Sequence, residues 1–268
     1  MKFAANLGFL FTKEAPNILD RYHLAKSVGF SGVELPFPYD IPVSDIVAAK
    51  EAAGVEQVLL NAWPGRTDSN DLGIAIFPER RTEFRESLET SIKYLKALNC
   101  KRLHIMAGKA AANADHKELE KTYIENLLFA ADRLEKEGVV ALIEACNNQW
   151  IPGYFMNHSQ KALRVIKEVG HPNLKLQLDV FHTQIIEGNL THSIKTYLPH
   201  VGHVQIAQVP DRGEPDSAGE ISYRYILKLF EELGYKDWIG LEYIPRGGTA
   251  EGLKWMKNWS YSDYVFKI

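Results

Sequence analysis

The chain has 268 residues, 46% of them hydrophobic and 24% charged, with a formal net charge of −3 at pH 7. That composition can bury a large core, and it gives no electrostatic case for binding nucleic acid or an anionic membrane surface. No apolar run approaches the roughly 20 residues of a membrane span. Two cysteines, Cys100 and Cys146, sit in or beside apolar strand-like runs, which argues against a disulfide scaffold and for a reducing, cytoplasmic setting. The apolar opening is cut short by Thr12, Lys13 and Glu14 with no small-residue cleavage site, so it reads as a first strand and not a signal segment.

In chain order, strands are predicted over 3–10, 32–37, 57–62, 101–106, 139–146, 175–182, 203–209 and 239–244. Amphipathic helical patterns fall between them, over 16–28, 44–53, 79–98, 117–137, 159–169 and 222–233. Gly29, Gly54, Gly138, Gly170 and Gly234 each follow a helix-like run, where a left-handed residue is wanted. Ser44 and Ser159 stand where N-caps belong. No Pro/Ser/Gly-rich linker divides the chain. The expected fold is α/β, a single (β/α)8 TIM barrel over 1–268. The runner-up, an open doubly wound sheet, lacks the glycine-rich phosphate turn after its first strand.

Alternation along the strands points to a site. Val33 and Leu35, Leu103 and Ile105, Leu174, Leu176, Leu178 and Val180, Val204 and Ile206, and Ile239 and Leu241 form apolar faces suited to helix contact. The opposite faces carry Asn6, Glu34, Asn61, His104, Glu144, Asp179, Gln205 and Glu242, one from every strand. A barrel axis is ordinarily filled with branched apolar side chains. Carboxylates converging there repel one another and lose hydration, and a divalent cation relieves both costs. Glu144, Asp179, Gln205 and Glu242, on the last four strands, form an all-oxygen set that favours Mg²⁺ or Mn²⁺. His203 lies two residues deeper on the face of Gln205 and reads as a core histidine. His104 reads equally as a core group or as part of a pocket.

The contexts of these residues carry a resemblance. ALIEACN around Glu144, LQLDVFH around Asp179, HVQIAQVPDRGEP around Gln205 and IGLEYIPRG around Glu242 resemble the hydroxypyruvate isomerase family, within the xylose-isomerase-like barrel superfamily. GFSGVELPFPYD, LLNAWPGR and LHIMAG extend the likeness over the whole chain. The resemblance implies that the four residues hold the metal and that Glu144 and Glu242 are the proton donor/acceptor pair. Related sugar epimerases and DNA-repair endonucleases usually carry His at the strand-seven ligand position; Gln205 departs from that pattern, which argues against a trinuclear zinc, DNA-cutting site. Asp179 and His182 keep a DxxH pattern, implying that His182 touches substrate. Simple alternation, however, puts His182 on the outer face, so the strand must bend or end before it.

The implied reaction interconverts hydroxypyruvate and tartronate semialdehyde through a cis-enediolate. The partner expected is a small hydroxy-oxo acid, with no nucleic acid and no membrane; association into a homo-oligomer is allowed. Its carboxylate calls for a cation: Arg212 after strand seven is the first candidate, with Arg66 and Lys109 as alternatives. Trp63, Phe181 and Trp150 are candidate pocket walls, and 210–219, rich in Gly, Pro and Asp, is either a lid or an ordinary connection. Rival readings are a 2-oxo-tetronate isomerase, a ketose 3-epimerase, and an inactive barrel serving as a binding protein.

Overall fold

Eight parallel strands close on themselves in chain order, as the alternating pattern predicts. They are β1 (Lys2–Asn6), β2 (Gly32–Leu35), β3 (Glu56–Asn61), β4 (Arg102–His104), β5 (Val140–Glu144), β6 (Leu174–Asp179), β7 (Val201–Ile206) and β8 (Trp238–Leu241). Around them run α1 (Asp20–Ser27), α2 (Val43–Ala53), α3 (Arg81–Leu98), α4 (His116–Glu135), α5 (Ser159–Val169), α6 (Val180–Ile186), α7 (Leu190–Tyr197) and α8 (Tyr223–Glu232). Two short helices, α9 (Thr249–Gly252) and α10 (Lys254–Asn258), follow β8. This computed structural model describes residues 1–65 and 71–261. Arg66 therefore lies outside the described residues. Among them, no helix is long and apolar enough to cross a membrane.

The two faces of each strand have different neighbours. Val33, Leu35, Leu103, Leu176, Val204, Ile206, Ile239 and Leu241 join the large core between sheet and helices. A much smaller cluster of Ala4, Val58, Leu59, Leu142 and Trp238 forms a second apolar group. The Trp238 indole needs room opposite it: a Cβ on Gly32 would stand 2.5 Å from its ring. That floor leaves the upper part of the interior to polar groups.

Helix ends follow the sequence signals at one terminus better than the other. Gly54 and Gly170 close α2 and α5 with φ of 64° and 66°. The serine caps are not formed. Pro42, with φ of −53°, precedes α2, so the helix starts ahead of Ser44, whose hydroxyl bonds Asp45 instead. Ser159 is the first residue of α5 and is buried; His158 holds the cap position without a side-chain capping bond.

Strand ends place the chemistry. Asn6, Asn61, His104, Glu144 and Asp179 are the last residues of β1, β3, β4, β5 and β6. Gln205 lies one residue before the end of β7, and Glu242 one residue beyond β8. All therefore gather at the C-terminal mouth, where a barrel's loops build its site.

Candidate active site

A cleft of about 410 Å³ opens at this mouth. Asn61, His104, Glu144, Gln177, His182, Arg212 and Glu242 supply polar lining, and Phe9, Phe37 and Met106 are among its apolar walls. Barrel stagger sets which groups meet. Asp179 pairs in register with Gln205, but Glu144 pairs with Gln177. Gln177, which the sequence reading did not single out, donates from Nε2 to Glu144 Oε2 at 3.2 Å and to Gln205 Oε1 at 2.7 Å. Its signal was present in LQLD, two residues before Asp179 and hence on the same face.

The bend that His182 requires exists. Strand β6 stops at Asp179 and α6 begins at once, with Asp179 as its N-cap: Oδ1 accepts from the Phe181 N–H at 2.9 Å. One oxygen of Asp179 thus closes the helix while the other lies beside Arg212 Nη2 and His182 Nε2. The helical turn carries His182 back to the same side, Nε2 lying 3.7 Å from Asp179 Oδ2 and 4.0 Å from Glu144 Oε1. Strand alternation misplaced this residue because the period changes from two to 3.6 at Asp179.

Arg212 reaches deep into the cleft wall. Its Nη2 contacts Glu242 Oε2 and lies 3.3 Å from Asp179 Oδ2, and Nε donates to the Glu242 carbonyl at 3.2 Å. The guanidinium lies 4.9 Å from the Phe9 and Phe181 ring centres and 5.6 Å from that of Trp150. Phe181 and Trp150 therefore grip the arginine. Beneath, Glu34 accepts from Asn6 Nδ2 at 3.0 Å and Gln205 Nε2 at 2.8 Å, and lies 2.5 Å from His203 Nε2. His203 is fully buried against Glu34, a core histidine as expected. Asn6 also donates to Glu242 Oε1 at 3.1 Å. Glu34 presents a carboxylate to Gln205 Nε2, which leaves the amide oxygen of Gln205 turned to Gln177.

The electrostatics follow from burial. Loss of hydration, then the charges of Asp179 and Glu242, pushes the Glu144 carboxyl well above the usual range. Burial raises Asp179 as well, opposed by Arg212 and the Phe181 N–H. Glu242 is pushed up to about 8 by burial, against the pull of Arg212. Burial would lower Arg212, but Glu242, Asp179 and Glu144 outweigh it and hold the guanidinium charged. His104 is driven down to about 3 by burial and the neighbouring His203, so it is neutral. Among the described residues its two nitrogens have no hydrogen-bond partner, and Nδ1 lies 3.6 Å from Glu144 Oε2.

Other expectations resolve differently. Trp63 lines a separate groove with Tyr39, Glu83 and Glu86, because the chain leaves β3 toward α3, where its backbone N–H meets Ser91 Oγ at 3.4 Å. Lys109 pairs through its backbone with Tyr154 and is not among the cleft-lining residues. Segment 210–219 is an ordered connection wound around Gln208, whose side chain bonds Pro215, Ser217 and Ile221.

Comparison with known proteins agrees with the barrel fold. The model of the family described as xylose isomerase-like TIM barrel matches residues 22–259. A protein of Escherichia coli named hydroxypyruvate isomerase is 38% identical over 256 residues, covering 96% of this chain and 98% of its own. The chain belongs to the hydroxypyruvate isomerase family. It is an isomerase of this xylose isomerase-like barrel type. Other members carry different names: a 2-oxo-tetronate isomerase of Cupriavidus necator is 41% identical, covering 96% of this chain and 97% of its own. A crystal structure from Brucella melitensis, titled AP endonuclease, family 2, is 41% identical with a TM-score of 0.92, covering 96% and 98% of the two chains.

Does the isomerase cleft suit a metal? Among the described residues, one group brings His, Cys or carboxylate ligand atoms within 4.8 Å of one another: Glu144, Cys146 and His182. Glu144, Asp179 and Glu242 are spaced more widely, and Arg212 bonds the last two. The expected quartet shares one mouth but is not drawn together as a closed cage. Its chemistry nevertheless fits. Among the described residues, Glu34, Glu144, Asp179 and Glu242 are opposed by a single guanidinium in the cleft lining, and Glu144 Oε1 is buried with no hydrogen-bond partner. A hard divalent cation suits such an excess of oxygen donors and negative charge.

Proposed function

We propose that this isomerase interconverts hydroxypyruvate and tartronate semialdehyde. The observation that carries the reading is the unpartnered, buried Oε1 of Glu144 in the same small cleft as Glu242, a carboxyl raised to about 8. Shifting the carbonyl to the adjacent carbon needs one group to take a C–H proton and another to return one next door. Glu144 and Glu242 fill those roles. Removal of the proton leaves a cis-enediolate, whose oxygens meet the N–H of His182 and the guanidinium of Arg212; His104 lies beside Glu144 at the same wall. Glu144, Asp179, Gln205 and Glu242 would hold Mg²⁺ or Mn²⁺, which when bound stabilises negative charge on substrate oxygens as a Lewis acid.

Arg212 is the cation in the described cleft lining that suits a substrate carboxylate. Similar identity to the Cupriavidus enzyme supports a second reading, a four-carbon 2-oxo acid as substrate. Net charge −3 gives no electrostatic case for nucleic acid as a partner. The test is turnover of hydroxypyruvate, a four-carbon 2-oxo acid and a neutral ketose by chelator-treated protein, with and without Mg²⁺ or Mn²⁺. Preference for the three-carbon acid, restored by metal, is expected; preference for the neutral ketose rejects the reading.

A further inference from the structure

His182 sits close enough to Glu144 and Asp179 to look like a metal ligand, yet its hydrogen bonds assign it another task. The chain leaving β5 turns at Asn147, whose Oδ1 accepts the backbone N–H groups of Gln149 and Trp150 at 3.1 and 3.0 Å. Two obligate donors fix which end of the amide is oxygen. The amide nitrogen then faces His182 Nδ1 at 2.7 Å. The Asn147 backbone N–H points at the same ring nitrogen at 3.1 Å. Nδ1 thus receives two donors and carries no proton.

We propose that Asn147 is a positioning residue that locks His182 as the Nε2–H tautomer, making the imidazole a hydrogen-bond donor to a substrate oxygen and withdrawing it from metal ligation. With Nδ1 accepting, the ring proton is on Nε2. That N–H lies 3.7 and 4.0 Å from the carboxylate oxygens of Asp179 and Glu144, too far for a full bond. It is aimed into the cleft and left unspent. Ligation would need a lone pair at Nε2, and Nδ1 cannot take the displaced proton while it faces two N–H groups. The grouping of Glu144, Cys146 and His182 is therefore not a soft-metal site, and the cation is left to oxygen donors. Only the identity of the substrate oxygen rests on the proposed isomerase reaction.

The test uses full-length protein labelled with ¹⁵N-histidine, with the His182 signals assigned by their loss in His182→Gln. Long-range ¹H–¹⁵N spectra are expected to show a pyridine-type Nδ1 and a pyrrole-type Nε2, unchanged by Mg²⁺. Asn147→Asp places a carboxylate against Nδ1 and should draw a proton there. Turnover should fall about ten- to a hundredfold, through kcat more than KM, as for other groups that orient a reacting side chain. Asn147→Ser, which keeps an oxygen for the turn, should fold and show a mixture of tautomers. A protonated Nδ1 in the wild-type protein, or an unaltered ring in Asn147→Asp, overturns the proposal. A locked tautomer in a protein that ignores hydroxypyruvate would reject the substrate reading alone.

Discussion

Gly240 is bare because Glu34 occupies the space its side chain would need: a Cβ there would stand 2.6 Å from the Glu34 carboxyl carbon. Position 240 pairs in register with Gln205, so the carboxylate of β2 reaches across the barrel under the mouth. From there Glu34 holds Asn6, Gln205 and His203 together. Gly240→Ala forces this network apart. It should destabilise the protein by about 1–3 kcal/mol, the usual cost of overpacking, read as a lower midpoint in urea unfolding. An unchanged midpoint would mean that Glu34 has somewhere else to go.

Glu144→Gln and Glu242→Gln each remove a proton carrier while keeping shape. Either change should lower kcat by about 10²–10⁴, the range of general acid–base contributions. Exchange of substrate carbon-bound hydrogen with deuterated water should fall in parallel. Full exchange in both variants would place the proton transfer on other residues.

Arg212→Ala leaves Asp179 and Glu242 without their guanidinium and empties the site between Phe9 and Phe181. KM for the acid substrate should rise at least about tenfold, the loss of one charge-assisted hydrogen bond. Arg212→Lys should rescue little, since an ammonium neither forks nor stacks. Unaltered kinetics for Arg212→Ala would remove this residue from the substrate's path.

Stability of metal-free protein should decline as pH rises from 6.5 toward about 8. Glu242 has a folded value near 8, above its usual 4.5, so within that window the folded state binds more protons than the unfolded chain. Stability then falls with rising pH and is lost as the pH passes the folded value. His104 and His182 work in the opposite sense: their values are depressed from 6.5, so their contribution is fully present above it and lost on acidification. Thermal midpoints between pH 6.5 and 8.5 measure this, and added Mg²⁺ should flatten the slope by favouring ionised carboxylates. A metal-free midpoint that climbs through the window contradicts the assignment.

Much of the site was legible early because strands have a fixed side-chain period. Glu144, Asp179, Gln205 and Glu242 could be put on one face by counting in twos. Counting failed at His182, where β6 gives way to α6 at Asp179, and at Trp63, which the chain carries away toward α3. Asn147 and Gln177 went unnoticed for another reason. Their importance lies in which partner they meet, Nδ1 of His182 and Oε1 of Gln205, across gaps of 35 and 28 residues.

Alternating hydrophobicity by itself determined the eight-stranded plan and brought the acids to one mouth, since burying the apolar outer faces of eight strands under helices turns their polar faces toward the barrel axis. Tertiary structure alone decided that Arg212 lies against Asp179 and Glu242, that Glu144 keeps one oxygen unpaired, and that His182 presents an N–H. Those outcomes depend on strand stagger and on hydrogen-bond directions of a few ångströms, which residue spacing does not encode.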